Sequence, residues 1–276
     1  MRQSPVFSLG KLRRPLAMAI GCVMLILTIV PLGSLCYKAG VVGAKIDGVF
    51  TRSWSLDKFM TMVLGSPTRF ADEFWWSFEL GVLAATGAVI AAVPLAWIAR
   101  GGGRRAAPTL CITAVALALP GPLVAMVLIW LLNRRESALL VLLYDRTLLA
   151  PWLALLVRTV PWATLILWFA FRSLATDVLD SAASEGAGPL TRLFRIALPQ
   201  RLAALATAWL VTFAIALGDL SATVLVLPPG AETLSVRIFR LIHSAADDQV
   251  AGVCLALLGI LAVLTAAALG CVRRLR

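Results

Sequence analysis

The sequence predicts an all-α, polytopic membrane protein with six transmembrane helices. Three observations carry that prediction. The 276 residues are 61% hydrophobic and only 14% charged, where a soluble domain carries about 25% charged residues. Mean hydropathy is +0.92. Six apolar runs reach or approach the roughly 20 residues that a helix needs to cross the hydrocarbon core, and arginines crowd the ends of alternate runs.

The first run, Pro15–Tyr37, follows Arg2, Lys11, Arg13 and Arg14. It is too long for the apolar region of a signal peptide and no Ala-x-Ala site follows, so it reads as a retained span. Residues 38–74 hold five basic residues, several glycines and no run long enough to span; a short helix is expected around Leu56–Leu64. The second and third spans, Trp75–Ala99 and Pro108–Leu132, flank the tight turn bearing Arg100, Arg104 and Arg105. Ser137–Tyr144 is apolar but short, and reads as an interfacial or re-entrant piece. The fourth span is Pro151–Phe171, the fifth Ala203–Leu227 and the sixth Val250–Val272, which ends at Arg273, Arg274 and Arg276. Placing the basic turn and tail inside puts both termini in the cytoplasm. Three parts result: residues 1–74, a membrane helix with an outer-face segment; 75–272, a five-helix core; and 273–276, a cytoplasmic tail. Gly81, Gly87 and Ala84–Ala92 predict close helix packing at small residues. Pro94, Pro120, Pro122 and Pro161 are expected to kink their spans.

The same composition narrows function. The net charge of +11 fits span ends facing an anionic leaflet. No basic stripe is interleaved with aromatics, so the partner is a lipid membrane and no nucleic acid is expected. Cys22, Cys36, Cys111, Cys254 and Cys271 form no Cys-x-x-Cys pair, which predicts neither a metal site nor a disulfide framework. An intramembrane protease would need Gly-x-Ser-Gly and a membrane-embedded His; the only histidine, His243, falls in an outer segment. An intramembrane enzyme is therefore a remote alternative, and a self-sufficient carrier would have no use for the loop described next.

One polar segment interrupts the apolar chain. Residues 180–199 read DSAASEGAGPLTRLFRIALP. Ala182, Ala183 and Ala187 allow close approach of a partner, and Gly186 permits a turn that a side chain would penalise. Pro199 suits a helix start. Leu193, Phe194, Ile196 and Leu198 offer an apolar face that a solitary cytoplasmic loop has little reason to keep. The spacing from Asp180, Ala182 and Ala183 through Gly186 to Ile196, Leu198 and Pro199 resembles the EAA loop of binding-protein-dependent ABC importer permeases. It departs at the start, where Asp180-Ser181-Ala182 stands for Glu-Ala-Ala. A second stretch (Pro228, Pro229, Gly230, Thr233 and Leu234) and LLVRTVP around Arg158 are similar to the ferric-iron and thiamine permease group.

That resemblance implies a type I (MetI-like) importer permease fold in a bacterial inner membrane. It implies partners: ABC ATPase subunits clasping loop 180–199, a second permease subunit, the same chain or another, and an external solute-binding protein. No Gly-x-x-x-x-Gly-Lys-[Ser/Thr] occurs, so ATP chemistry comes in trans and no cofactor is expected in this chain. Ferric iron is the substrate expected on resemblance, with thiamine, sulfate, phosphonate or polyamine as alternatives. Asp219, at membrane depth in the fifth span, must face a cavity or a partner. Two readings stand side by side: it lines the pathway or gate, or it pairs with Arg158 or Arg237. His243 near Asp247 and Asp248 reads as a surface histidine before a metal ligand.

Overall fold

The computed structural model describes residues 10–46, 49–134, 137–244 and 246–274. Arg2, Gly48, Arg135 and Arg276 lie outside the described residues. The chain divides into two compact units: Met1–Arg69 with Leu241–Leu257, and Phe70–Arg240 with Leu258–Arg276.

In the first unit a 3₁₀ turn at Gly10–Leu12 leads into α1 (Arg13–Gly40), whose best membrane-crossing window has mean hydropathy 2.4. An antiparallel hairpin follows, β1 (Val41–Ile46) and β2 (Val49–Trp54), in the register Val41↔Trp54 to Ile46↔Val49. The sequence reading did not expect these strands. It did expect α2, which spans Leu56–Leu64. Ser55 sets that start: its side chain accepts a hydrogen bond from Lys58 N, and Asp57 sits in the first turn, where the helix dipole favours a carboxylate. α3 is a single turn, Ser66–Arg69. The start of α14 (Asp247–Arg274) is tied in by Lys38–Asp247 and Lys58–Asp248 ion pairs, each 3.0 Å. Gly252 faces the backbone of Met62 at a distance that leaves no room for a side chain.

The second unit is built on α4 (Ala71–Ala99), α8 (Leu149–Arg172) and α12 (Leu202–Gly218). Ala84, Ala88, Ala92 and Ala96 are wholly buried along one stripe of α4, a four-residue spacing that stacks them on one face. Small side chains let the helix axes approach closely, and close packing stands in for the hydrophobic drive that is absent within a bilayer. Gly81 lies against the ring of Phe213, and Gly87 against Leu156 and Trp152. Trp152 Nε1 donates to Leu83 O, and Trp168 Nε1 to Ala99 O.

Between these lie α5 (Gly103–Ala118), α6 (Gly121–Leu132), α7 (Ala138–Arg146), α9 (Thr176–Ser184), α10 (Pro189–Thr191) and α11 (Leu198–Gln200); α13 (Leu234–His243) follows α12. Among the described residues four helices are long and apolar enough to cross a membrane, and up to six spans result if each of two bent pairs counts as one.

The third span bends where Pro120 and Pro122 were expected to kink it: α5 and α6 meet at 98°. Pro120 lacks an N–H and forces Leu119 out of the helical region, to ψ 122°. The fifth span ends at Gly218 instead of Leu227, because Asp219 adopts an extended conformation and residues 221–226 form turns. Pro94 and Pro161 lie inside continuous helices. Trp97 is a core residue packed edge-on to Phe171 at 5.7 Å, whereas Trp75 and Trp130 are exposed.

Candidate functional site

The polar loop is shaped by local backbone chemistry. α9 ends at Ser184, and Gly186 takes φ +83°. Gly186 N donates to Ala183 O (3.0 Å) and Ala187 N to Ala182 O (2.9 Å). This pair of bonds is a Schellman cap, whose left-handed position glycine fills without steric cost. Gly188 and Pro189 then start α10. A π-helical turn at Arg192–Ala197 follows, continued by Leu198, Pro199 and Gln200 in α11, and the chain bends 78° into α12. The Arg201 guanidinium donates to Ser173 O at 2.8 Å, fastening this corner to the end of α8.

The loop has an anchored side and a free side. Leu179, Leu193 and Ala197 are buried with Trp97, Leu167 and Phe171; Ile196 and Leu198 pack against the same cluster. Leu193 is 4% exposed, while its neighbour Phe194 is 60% exposed and Leu190 68%. The four residues expected to form one apolar face are thus divided: Leu193 is structural, Ile196 and Leu198 are intermediate, and Phe194 projects. Leu190, which the motif did not mark, projects too. Asp180, Ala183, Gly186 and Pro199 are exposed, with Ala182 and Ala187 half-buried.

Arg100 was not anticipated here. Its guanidinium lies 3.6 Å above the Trp97 ring. Burial, then the nearby Arg192 charge, push its pKa below the usual arginine value, while Asp180 acts in the opposite sense. At Arg100 the Asp180 carboxylate thus opposes the charge of Arg192, at the root of the loop.

A second constellation lies at the helix breaks. Arg158 on α8 places Nε 3.1 Å from Asp219 Oδ2, and its Nη1 donates to Leu119 O at 3.3 Å. Asp219 Oδ1 accepts from Ala222 N at 2.8 Å and from Ser221 Oγ at 3.4 Å. Gly121 sits so close to Ser221 that a side chain would collide with it. One arginine thus joins the α5–α6 break to the end of α12. Arg237 is engaged elsewhere, 3.6 Å from Glu73 and over the Phe70 ring. Pro228-Pro229-Gly230 closes a β-turn, with Gly230 at φ +89° and Ala231 N donating to Pro228 O at 3.1 Å; proline then glycine at the centre is the type II pattern. Among the described residues, no three His, Cys, Asp or Glu side chains gather as a metal site would require.

A family model described as "Binding-protein-dependent transport system inner membrane component" matches residues 80–275, well over half of the chain. The chain belongs to this family. Its curated relatives include the putrescine transport system permease protein PotI of Escherichia coli K12, 29% identical over 115 residues, which are 42% of this permease chain and 41% of PotI. PhnV of Salmonella paratyphi A, named for 2-aminoethylphosphonate transport, is 37% identical over 68 residues, 25% of this chain and 26% of PhnV. The chain thus matches about two fifths of one relative's length and a quarter of the other's. Among solved structures, a chain of a bacterial alginate ABC transporter in complex with an alginate-pentasaccharide-bound periplasmic protein matches with TM-score 0.66 at 17% identity, over 95% of this chain and 96% of that one. A second alginate importer structure matches at TM-score 0.59 and 16% identity. These establish the fold as that of ABC importer permeases.

Proposed function

We propose that the chain is the membrane-spanning permease subunit of an ATP-driven importer, and that loop 180–199 transmits the motion of a separate ATPase into the bundle. The observation that carries this is the loop's division of labour. Its inner side is clamped to the core by Leu179, Leu193 and Ala197, while Leu190 and Phe194 stand out from it. Exposed large apolar groups on a capped, rigid loop are what a partner's groove would take up. A force applied to Phe194 would reach α8 and α12 through Leu193 and the Arg201–Ser173 bond, without passing through a flexible tether.

On this reading ATP is hydrolysed by the partner and no cofactor resides in this chain. A second permease subunit completes the pathway, and a solute-binding protein delivers the substrate on the outer side. Both termini lie in the cytoplasm. The named relatives move the substrate expectation away from ferric iron: putrescine and 2-aminoethylphosphonate are both small organic amines, and a solute of that kind is the better reading.

Co-purification tests the docking role. Wild-type chain expressed with its ATPase should recover that ATPase in stoichiometric amount. Gly186→Asp, which puts a side chain at positive φ, should lose it while still folding into membranes. Full ATPase recovery and normal uptake in Gly186→Asp would overturn the assignment.

A further inference from the structure

The two helix breaks place irregular backbone deep in the membrane. Arg158 lies nine residues from the start of α8 and fourteen from its end, roughly 14 and 21 Å along the axis. The Leu119 carbonyl that it binds is close to the middle of the α5–α6 pair. At the breaks Ala118, Leu119, Pro120, Gly218 and Ser221 are exposed on this chain, while Gly121 and Asp219 are buried. Non-helical backbone at that depth is not tolerated against lipid; it must be covered by protein or line water. Discontinuous helices facing each other are also where transporters place their solute contacts.

Arg158 decides between cover and water. Its side chain is 31% exposed, whereas that of Asp219 is 5% exposed. Among the described residues the guanidinium uses one N–H on Asp219 and one on Leu119, leaving three of five. A dry protein cover would strand those donors at a substantial desolvation cost. Both Asp219 oxygens, by contrast, are already engaged. The pair is neutral as a whole, but its accessible end is the cation.

We infer that this face is a wetted wall of the solute pathway, and that Arg158, held by Asp219 and Leu119, recognises an oxyanion of the solute: a phosphonate, phosphate, sulfate or carboxylate. The inference rests on the permease reading above and narrows it towards a solute that carries an anionic group beside its amine. A planar guanidinium with spare donors is suited to two parallel bonds with such a group. The Asp219 partner holds the guanidinium plane in place.

The test reads accessibility and charge, independent of transport. Gly218 has open space where a Cβ would sit, so Gly218→Cys introduces a reporter thiol beside Asp219 without a clash. It is placed in the full chain, co-expressed with its partners, with Cys22, Cys36, Cys111, Cys254 and Cys271 replaced by alanine. In permeabilised cells the thiol is treated with methanethiosulfonates of equal size bearing an anionic or a cationic head. The anionic reagent should react faster, on the order of tenfold. Asp219→Asn should enlarge that preference, and Arg158→Gln with Asp219→Asn should erase it. A thiol that reacts with neither reagent, or a preference for the cation, or one that survives the double substitution, would overturn the inference. Failure of the chain with Gly186 unchanged to co-purify its ATPase, with the labelling pattern intact, would count against the proposed function instead, and the converse against this site alone.

Discussion

Phe194→Ala separates docking from folding most cleanly. Phe194 is 60% exposed. An aromatic side chain carries about 200 Å² of buriable surface, so about 120 Å² is available to a partner, worth about 3 kcal/mol at 25 cal/mol per Å². Ordering and desolvation at the interface take back part of this, leaving about 2 kcal/mol, or about 30-fold in Kd. The adjacent Leu193 is 4% exposed; Leu193→Ala should cost about 2–5 kcal/mol of stability through the cavity it leaves. The assay is titration of purified ATPase onto nanodisc-held permease complex, read by fluorescence anisotropy, with a thermal melt of each variant. Phe194→Ala should weaken binding and leave the melt near wild type, whereas Leu193→Ala should lower the melt. An unchanged Kd for Phe194→Ala would refute the claim that the projecting side of the loop is the docking face.

Other substitutions probe the elements that hold the sites. Gly186→Ala forces a Cβ into φ +83° and should cost about 1–2 kcal/mol locally; hydrogen exchange at the amides of Gly186 and Ala187 should rise, and unchanged protection would contradict the cap. Gly121→Val should drive α6 away from Ser221 and reduce the yield of folded protein; a wild-type melt would show that the two breaks are not in contact. Arg158→Gln alone leaves the Asp219 carboxylate buried without its partner, a loss of about 3–5 kcal/mol. Adding Asp219→Asn should restore most of it in the same thermal assay, and equal melts for the single and double variants would argue against the pairing.

Hydropathy located the spans because lipid demands long apolar runs, and the short helix expected around Leu56–Leu64 is α2, whose start Ser55 and Asp57 mark in the structure. What hydropathy does not register is backbone geometry. Pro120 and Pro122 signalled a kink inside an apolar stretch, though not one of 98°, and a count of apolar side chains passed over Gly218-Asp219. The β1–β2 hairpin was missed because its short strands sit in a segment judged only by its inability to span. In the loop, the spacing of Asp180, Gly186 and Pro199 was legible, and the Schellman cap explains why glycine occupies its place. The division between Leu193 and Phe194 was not legible, since it depends on the π turn at Arg192–Ala197. Arg100 could have been flagged: it ends a span whose neighbour in space, Asp180, lies eighty residues away in sequence. The substrate was the least accessible level, because solute choice rests on few side chains; Arg158 and Asp219 stand out as charges in apolar runs, and hydropathy assigns them no role.

Reconstituted transport addresses the whole account. Proteoliposomes holding this chain, its ATPase and its solute-binding protein would be given labelled 2-aminoethylphosphonate, putrescine or ferric iron. The account predicts ATP-dependent accumulation of 2-aminoethylphosphonate that disappears in Gly186→Asp. Accumulation that needs no ATP, or that proceeds undiminished in Gly186→Asp, would contradict it.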